Sequence, residues 1–271
     1  MTVITGDSGD NLLTGTIGAD TISGLGGNDT LIGGDGADNL NGGADSDSLN
    51  GGIGNDSLFG GLDNDFLIGG GGDDLLDGGG GDDQLSGTFG SYDGDVTALG
   101  GAGADTISGA FFATVDAGAD DDLVTMAARL TKQVTLIDGG AGNDTLRIDV
   151  DLSIGAVALD FTKLVNFETF SLSPTLNVAL SDANISSSGH LDVTMVQGLG
   201  SSYGFAVDGS AVTAGSLTIT GGGGSNNLKG GSGADSLTTG ASDDTLQGGG
   251  GNDTLHAGAG SDTAIFAGNC A

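Results

Sequence analysis

Apolar residues recur every nine positions along two stretches of the chain. From Gly6 to Ser86 the eighth position of each nine-residue unit is Leu or Ile, beginning with Leu13 and ending with Leu85. A second block, Gly221 to Ile265, repeats the arrangement. Nine is neither a helical period nor a whole number of alternating strand pairs, so each unit must be one element of a stacked array. The pattern predicts short strands joined by turns.

The polar positions of each unit are almost as regular. Glycine fills the first, second and fourth places and aspartate the sixth, as in GGDGADNLN, GGIGNDSLF, GGSGADSLT and GGGGNDTLH. Asn11 and Asn226 replace the aspartate at the start of the two blocks. Asp7, Thr16 and Leu25 replace the second-position glycine, and Asp45, Asp63 and Ser242 replace the fourth. We expect these turns to form as well, because Asp tolerates left-handed backbone geometry better than most residues.

The signature persists between the blocks in GGAGADTIS (100–108), AGADDDLVT (117–125) and GGAGNDTLR (139–147). Asp65, Asp83, Asp105, Asp122 and Asp144 are separated by 18, 22, 17 and 22 residues. Such spacing is expected for one side of a coil whose opposite side has gained insertions, which are GTFGSYDGDV, GAFFATV and MAARLTKQV. Their aromatic residues, Phe89, Tyr92, Phe111 and Phe112, are expected to cap the widened coil.

From about residue 148 to 220 the pattern changes to short alternating apolar runs such as FETFSL, HLDVTMV and SLTITG. These runs predict strands joined by Gly, Ser and Asn turns. The chain is therefore predicted to contain a repeat block (1–99), a widened block with insertions (100–147), a strand-rich spacer (148–220) and a second repeat block with its cap (221–271).

Composition adds a strong negative charge. The chain of 271 residues has 58 glycines, 5 basic and 37 acidic residues, and a net charge of −32. This balance argues against nucleic acid or an anionic membrane as a partner and favours bound cations. Glu168 is the one glutamate, so the acidic positions specifically use the short carboxylate. We find no apolar run long enough for a membrane span and no Sec signal at the N-terminus.

The G-x-G-x-D arrangement points to a particular ion. Glycine lets the backbone turn with positive φ, so carbonyl oxygens can converge on a point that the aspartate also reaches. Hard oxygen ligands without a Cys or His cluster select calcium over zinc or copper. Cys270 is the single cysteine, which excludes disulfides within the chain and thiolate metal sites. An EF-hand is excluded as well, because its loop needs a glutamate at the twelfth position.

The repeats quoted above resemble the RTX nonapeptide repeats of secreted bacterial proteins. The resemblance implies an all-β, right-handed parallel β-roll or β-helix solenoid with stacked calcium ions, in which six residues form a calcium-binding turn and three a strand. Two units make one coil, so an ion would lie between loops that are two units apart. One such site would use Gly52, Gly54 and Asp56 with Gly69, Gly71 and Asp74.

Carried along the chain, the resemblance implies about ten or more calcium ions held by oxygen ligands. The implied side-chain ligands are Asn11, Asp20, Asp29, Asp38, Asp47, Asp56, Asp65, Asp74, Asp83, Asp105, Asp122, Asp144, Asn226, Asp235, Asp244, Asp253 and Asp262. The implied backbone ligands are Gly34, Gly36, Gly51, Gly52, Gly54, Gly69, Gly70, Gly71, Gly72, Gly78, Gly80, Gly231, Gly233, Gly248 and Gly250. Asn11 and Asn226 are expected to make the weaker, terminal sites.

These observations predict a calcium-folded, non-enzymatic structural protein, found outside a bacterial cell or at its surface and exported without a Sec signal. The spacer, with its NFETFSL run, resembles those of RTX surface-layer proteins and adhesins, which suggests end-to-end self-association. The alternative is the calcium-binding portion of a secreted hydrolase, protease or polysaccharide epimerase. His190 and His256 have no partner at a useful spacing and are expected to be surface or hydrogen-bonded residues.

Overall fold

Each nine-residue unit folds as half of a coil. The computed structural model describes residues 1–87, 94–109, 112–127, 134–149, 160–173, 177–186, 188–195 and 203–266. These residues form parallel strands that pair with the strand two elements further along the chain. Leu49 thus lies beside Leu67, 18 residues away, in hydrogen-bonded register. The predicted all-β solenoid of stacked parallel strands is confirmed.

The chain divides into two compact units, Met1–Asp144 and Thr145–Ala271. The finer predicted division into four segments stays a prediction.

In the first unit, odd-numbered strands form one sheet and even-numbered strands form another. The strands are β1 (Val3–Thr5), β2 (Leu12–Thr14), β3 (Thr21–Gly26), β4 (Thr30–Asp35), β5 (Asn39–Ala44), β6 (Ser48–Ile53), β7 (Ser57–Leu62), β8 (Phe66–Gly71), β9 (Leu75–Gly80), β10 (Gln84–Ser86), β11 (Val96–Ala102), β12 (Thr106–Gly109), β13 (Phe112–Ala119), β14 (Leu123–Ala127) and β15 (Leu136–Asp138).

Strands β3 to β9 are longer than the three residues that the family resemblance implied. Strand β6, for example, includes the first three residues of the next unit, and Gly52 pairs with Gly70 within the ladder. The strand continues because successive glycines stack in register, so their backbone groups bond to the neighbouring coil. Calcium-turn glycines therefore belong partly to the sheets.

The core of the first unit is a narrow column of aliphatic side chains. Leu31, Leu40, Leu49, Leu58 and Leu67 are all fully buried, one from each half coil. Side chains alternate along each strand, so the residues before and after each leucine point away from the column. The eighth-position residues therefore turn inward from both sheets, as the repeat predicted.

The widened part of the first unit replaces a carboxylate by an apolar side chain. Thr97 pairs with Leu75, so Val96 takes the place in its coil that Asp74 takes in the preceding one. Val96 and Phe112 are buried, and a Cβ on Gly87 would lie 3.1 Å from the Phe112 ring. Phe112 thus packs inside the widened coil. The other predicted capping residues, Phe89, Tyr92 and Phe111, lie outside the described residues.

Among the strands of the second unit, the hydrogen-bonded orders are β16-β18-β20-β22-β24-β26 and β19-β21-β23-β25-β27. Its strands are β16 (Thr145–Asp149), β17 (Leu164–Val165), β18 (Thr169–Leu172), β19 (Asn177–Ser181), β20 (His190–Met195), β21 (Ala206–Ala211), β22 (Ser216–Thr220), β23 (Asn227–Lys229), β24 (Ser236–Thr238), β25 (Thr245–Gln247), β26 (Thr254–His256) and β27 (Thr263–Ile265). Two 3₁₀ turns, Phe161–Lys163 and Asp182–Asn184, are the helical segments among the described residues, and neither approaches the length of a bilayer span.

The spacer in the second unit has a conventional apolar core. Phe161, Phe167 and Phe170 are buried, and the Phe170 ring centroid lies 6.1 Å from Phe161 and 6.0 Å from Phe167. The buried Asn184 side chain donates to the Phe161 and Leu164 carbonyl oxygens. The contacts among the phenylalanine rings stabilise the coil through apolar burial.

Most of the irregular turns adopt the expected left-handed geometry. Asp45, Asp63 and Ser242 have φ of 72°, 68° and 76°, and Leu25 has a φ of 86°. Asp7 and Thr16, by contrast, do not have positive φ. The turns at Asp7 and Thr16 form as well, closed by hydrogen bonds from the Asp7 N–H to Asn11 Oδ1 and from the Thr16 N–H to Asp20 Oδ2. The expected left-handed geometry is therefore found at the fourth position and at Leu25, while Asp7 and Thr16 form their turns without it.

The core column predicts a large difference between two leucines of strand β7. Replacing the buried Leu58 by Ala should lower the free energy of unfolding in calcium by about 2 to 5 kcal/mol, because the removed methyl groups leave a cavity. The matched variant Leu62→Ala, at a side chain that is 63% exposed, should change it by less than about 0.5 kcal/mol. Urea unfolding measures both values, and equal effects would contradict the inward direction of position eight.

The glycine turns predict an equally clear contrast. A Cβ on Gly52, which has a φ of 110°, would lie 2.0 Å from the Gly34 carbonyl oxygen. Gly52→Ala should therefore destabilise the calcium-bound fold by more than about 1 kcal/mol. Gly80→Ala is the control, because its Cβ would meet nothing within 4 Å. Thermal unfolding in calcium should separate the two variants, and an unaffected Gly52→Ala would refute the close approach of the coils.

Candidate metal centre

Sixth-position aspartates of successive coils are joined in ladders. The Asp38 backbone N–H donates to Asp56 Oδ1 at 2.8 Å, and the Asp56 N–H donates to Asp74 Oδ1 at 3.0 Å. Asp56 therefore lies beside Asp74, two units away, and across the core from Asp65. The same bond joins Asn11 to Asp29, Asp20 to Asp38, Asp29 to Asp47, Asp47 to Asp65 and Asp65 to Asp83.

One ladder continues through the widened coils and the other does not. Asp83 donates to Asp105, Asp105 to Asp122, and Asp122 to Asp144, all from the backbone N–H to Oδ1. The 18, 22, 17 and 22 residue spacings therefore do mark one side of the coil, as the sequence predicted. On the opposite side Val96 follows Asp74 and ends the row of carboxylates.

The second oxygen of the ladder aspartates is the unusual feature of the site. The side chains are 1 to 4% exposed, and no hydrogen-bond donor among the described residues reaches their Oδ2 atoms. The oxygens concerned belong to Asp29, Asp38, Asp47, Asp56, Asp65, Asp74, Asp83, Asp105, Asp122 and Asp244. A buried ionised oxygen without a partner is strongly unfavourable, so each position needs a positive charge.

Glycines bring carbonyl oxygens to the same places. A Cβ on Gly51 would lie 2.4 Å from Asp56 Oδ2 and 2.5 Å from the Gly69 carbonyl oxygen, so these two oxygens face a common point. The Gly52 and Gly54 carbonyl oxygens point toward Gly70 and Gly72 of the next coil, where a Cβ would come within 2.0 Å of each. The structure thus brings the predicted ligands of one loop against those of the loop two units later.

The second block repeats this geometry over fewer coils. A Cβ on Gly230 would lie 2.2 Å from the Gly248 carbonyl oxygen and 2.4 Å from Asp235 Oδ2. The Asp235 N–H donates to Asp253 Oδ1, and the Asp244 N–H donates to Asp262 Oδ1. The Gly231 and Gly233 carbonyl oxygens point toward Gly249 and Gly251. Asp253 and Asp262 are half-buried, unlike the inner members of the ladders.

Comparison with known proteins agrees with this geometry. The family model of the RTX calcium-binding nonapeptide repeat matches residues 5–40, 32–67, 59–92, 92–113, 136–147, 220–255 and 229–264, which is more than half of the chain. The chain belongs to the RTX calcium-binding repeat family. No curated protein matches it.

The ligand set of these RTX coils fits calcium. No group of three or more His, Cys, Asp or Glu side chains converges within the described ranges. A metal ion would therefore depend on one or two carboxylates together with backbone carbonyls. Calcium accepts six to eight such oxygens in flexible geometry, whereas Mg²⁺ demands a tighter octahedron. The ion would supply the positive charge that the orphaned Oδ2 atoms lack.

Burial raises the pKa of the inner ladder carboxyl groups. The pKa of Asp65 and of Asp105 rises to about 7, mainly through desolvation, while neighbouring aspartates add to the shift and a backbone N–H opposes it. Asp56 and Asp74 rise to about 6 for the same main reason. Without a metal ion, the inner carboxyl groups of the RTX fold therefore take up protons at a higher pH than ordinary aspartates do.

The first members of the RTX ladders differ from the inner members. Asp20 Oδ2 accepts hydrogen bonds from the Thr16 hydroxyl and the Thr16 N–H, which lower its pKa to about 2. Asp235 Oδ2 accepts from the Gly231 N–H at 2.7 Å, and Asn11 Oδ1 accepts from the Asp7 N–H. The side chain at the start of each ladder is thus satisfied by its own turn. The predicted weakness of the Asn11 and Asn226 sites stays a prediction.

The RTX coils contain a second ladder of hydrogen bonds that was not predicted from the sequence. Fifth-position Asn and Asp side chains accept the backbone N–H of the following coil, as from Asp73 to Asn55 and from Asp82 to Asn64. The direction is opposite to that of the sixth-position ladder, whose oxygens accept from the preceding coil. The Asn-Asp and Asp-Asp pairs that recur at positions five and six of the nine-residue units are the sequence signal that could have predicted it.

The histidine in the spacer has more partners than expected. His190 Nδ1 lies 2.7 Å from Ser216 Oγ, and its Nε2 lies 3.1 Å from Asp192 Oδ1 and 3.2 Å from Thr218 Oγ1. Two of these partners come from the parallel pairing of β20 and β22, which brings residues 26 positions apart side by side. The prediction of a hydrogen-bonded surface residue is confirmed, since the side chain is half-exposed.

The raised pKa values predict that acid stabilises the metal-free fold. Aspartate in an unfolded chain has a pKa near 3.9, so the folded state binds more protons between that value and about 6 to 7. The contribution of these groups is therefore greatest below about pH 4 and is lost as pH rises through 6 to 7. Circular dichroism of the calcium-free protein should show increasing β-structure when pH is lowered from 7.5 to 5.

Two asparagine variants test the source of this pH dependence. Asp65→Asn removes an inner titrating group and should flatten the curve. Asp35→Asn removes the same charge at an exposed position of the same repeat block and should leave the slope unchanged. Loss of β-structure on acidification, or equal curves for the two variants, would contradict the assignment.

Proposed function

We propose that this protein is a calcium-folded, non-enzymatic structural component that works outside the cell. The carrying observation is the row of buried Asp Oδ2 atoms that no donor from the described part of the chain reaches. One metal-free coil could tolerate a protonated carboxyl group, but a stack of them at one strand spacing, about 5 Å, cannot ionise without strong mutual repulsion. A divalent ion between coils removes both the repulsion and the missing contact.

Calcium binding and folding are one equilibrium in this proposal. The oxygens of a site come from two successive coils, so the site exists only when both coils have stacked. Extracellular calcium modules bind with dissociation constants of about 10⁻⁴ to 10⁻³ M. Cytosolic calcium would leave such repeats unfolded, and the higher concentration outside would fold them. This switch supports a site of action outside the cell.

A structural or adhesive role is the most specific version of the proposal. Strands β1 and β27 each pair on one edge with a strand of their own sheet among the described residues. A free edge of a parallel sheet can pair with another chain, so calcium-dependent end-to-end association into a layer or filament is consistent with the fold.

The proposal predicts a steep gain of structure on adding calcium. Far-UV circular dichroism at pH 7.5 should report little order in excess chelator and a large β-signal in millimolar calcium, with no comparable gain in magnesium. Asp56→Asn should raise the calcium midpoint about tenfold or less, because one ligand charge is lost from a cooperative stack. Asp35→Asn, at an exposed side chain of the same repeat block, should leave the midpoint unchanged. An unchanged spectrum across the titration would sink the proposal.

A further inference from the structure

Oxygen atoms surround the side-chain amide of Asn226, at the start of the second repeat block. Its Nδ2 donates to the carbonyl oxygens of Gly222 at 3.0 Å and Gly224 at 2.6 Å, and to Asp244 Oδ1 at 3.0 Å. The residue is only 3% exposed. Three oxygens from two successive coils therefore converge on one buried donor group.

The surroundings fix the orientation of this amide. Asn226 Oδ1 accepts from the Phe205 N–H at 3.1 Å and from the Gly222 N–H at 3.4 Å. Backbone donors thus face the oxygen, and acceptors alone face the nitrogen. Reversing the amide would put its oxygen against three other oxygens and its N–H groups against backbone N–H groups. The nitrogen must therefore occupy the oxygen-lined position.

Aspartates at the same place in neighbouring coils lack this arrangement. Asp244 and Asp56 each keep a buried Oδ2 that no donor reaches among the described residues. The carboxylate is an acceptor only, so such a coil needs an external positive charge. The asparagine brings its own donor hydrogens to the position and adds no negative charge.

We propose that the Asn226 amide takes the place of a cation, so that the first coil of the second block folds without calcium. The inference rests on the proposed calcium-dependent folding of the other repeat coils. Here the amide joins the first repeat coil to the last spacer coil, through Phe205, and to the second repeat coil, through Asp244. Asn226 also donates its backbone N–H to Asp244 Oδ1 at 2.7 Å, so the ladder begins at this residue.

The location of Asn226, between the spacer and the second repeat block, explains how an asparagine in place of aspartate would help folding. The strands before it have an apolar core, with Phe205, Val207 and Leu217 buried, and thus do not depend on a row of carboxylates. A coil that stacks on this core without calcium provides ordered strand edges, on which the following coils, those of Asp253 and Asp262, can form their hydrogen bonds. Calcium then needs only to extend the block, which avoids the unfavourable step of ordering a first coil.

The other asparagine at a block start does not have this arrangement. Asn11 Nδ2 donates to the exposed Asp7 side chain at 3.3 Å, and no bond from it to a turn carbonyl is seen. The amide substitution is therefore specific to the second block, next to the spacer.

The variant Asn226→Asp tests the proposal directly in the full chain. A carboxylate placed against two carbonyl oxygens and Asp244 should create one more calcium site, so native mass spectrometry in calcium should count one additional ion per chain. The matched control Asn227→Asp adds the same charge at the next residue, on the exposed face of β23, and should keep the wild-type count. An unchanged count for Asn226→Asp would overturn the proposal.

Hydrogen exchange in chelator provides the second test. The wild-type amides of Phe205 and Asn226 should exchange at least about tenfold more slowly than those of Asp38 and Asp56, and Asn226→Ala should abolish the difference. Equal exchange at the two places in the wild-type protein would overturn the inference even if Asn226→Asp failed to fold. Failure of the proposed function is distinguishable, because the wild-type circular dichroism would then not respond to calcium at all.

Discussion

A carboxylate oxygen buried without a donor is the constraint on which the repeat blocks depend. Each inner aspartate uses Oδ1 to receive the N–H of the preceding coil, which fixes the register of the stack. The same placement buries Oδ2 beside carbonyl oxygens, where no hydrogen-bond donor of the described residues reaches it. The coils are thin and hold one aliphatic side chain per half turn, so apolar burial gives limited compensation. The fold therefore requires protons or cations, and the choice between them follows from pH and calcium.

The absence of a Cβ at glycine makes this close stacking possible. The coils approach so closely that a Cβ on Gly52 or Gly70 would meet a carbonyl oxygen at 2.0 Å. Larger residues occur in left-handed positions where the neighbouring coil leaves room or where a short polar side chain is tolerated, as at Asp45 and Asp63. The exposed ladder of fifth-position side chains holds the loops from the opposite direction. Two sets of bonds of opposite sense thus keep successive turns in register.

The spacer solves the same stacking problem by other means. Its coils contain Phe161, Phe167 and Phe170 and a buried, fully bonded Asn184, and so resemble an ordinary apolar core. Asn226 stands where this core meets the second repeat block. Its amide provides donor hydrogens at a coil that has an apolar neighbour on one side and a carboxylate ladder on the other. In our proposal, this residue links the apolar core of the spacer to the calcium-binding coils.

The sequence by itself determined the repeat, the inward leucines and the aspartate spacing, because a strict period places each residue type at the same point of every unit. The resemblance of that repeat to a known family implied the solenoid class. The sequence also identified the side of the coil that continues through the insertions, since Asp83, Asp105, Asp122 and Asp144 keep their frame. It could not show that the turn glycines also belong to strands, or that His190 meets Ser216, because both depend on pairing between coils. Likewise, the sequence predicted only a weakened calcium site at Asn226, where an asparagine stands in the aspartate position. Only the tertiary structure placed its nitrogen among three oxygens, because the partners of a side chain lie in other coils and their directions are set by the fold.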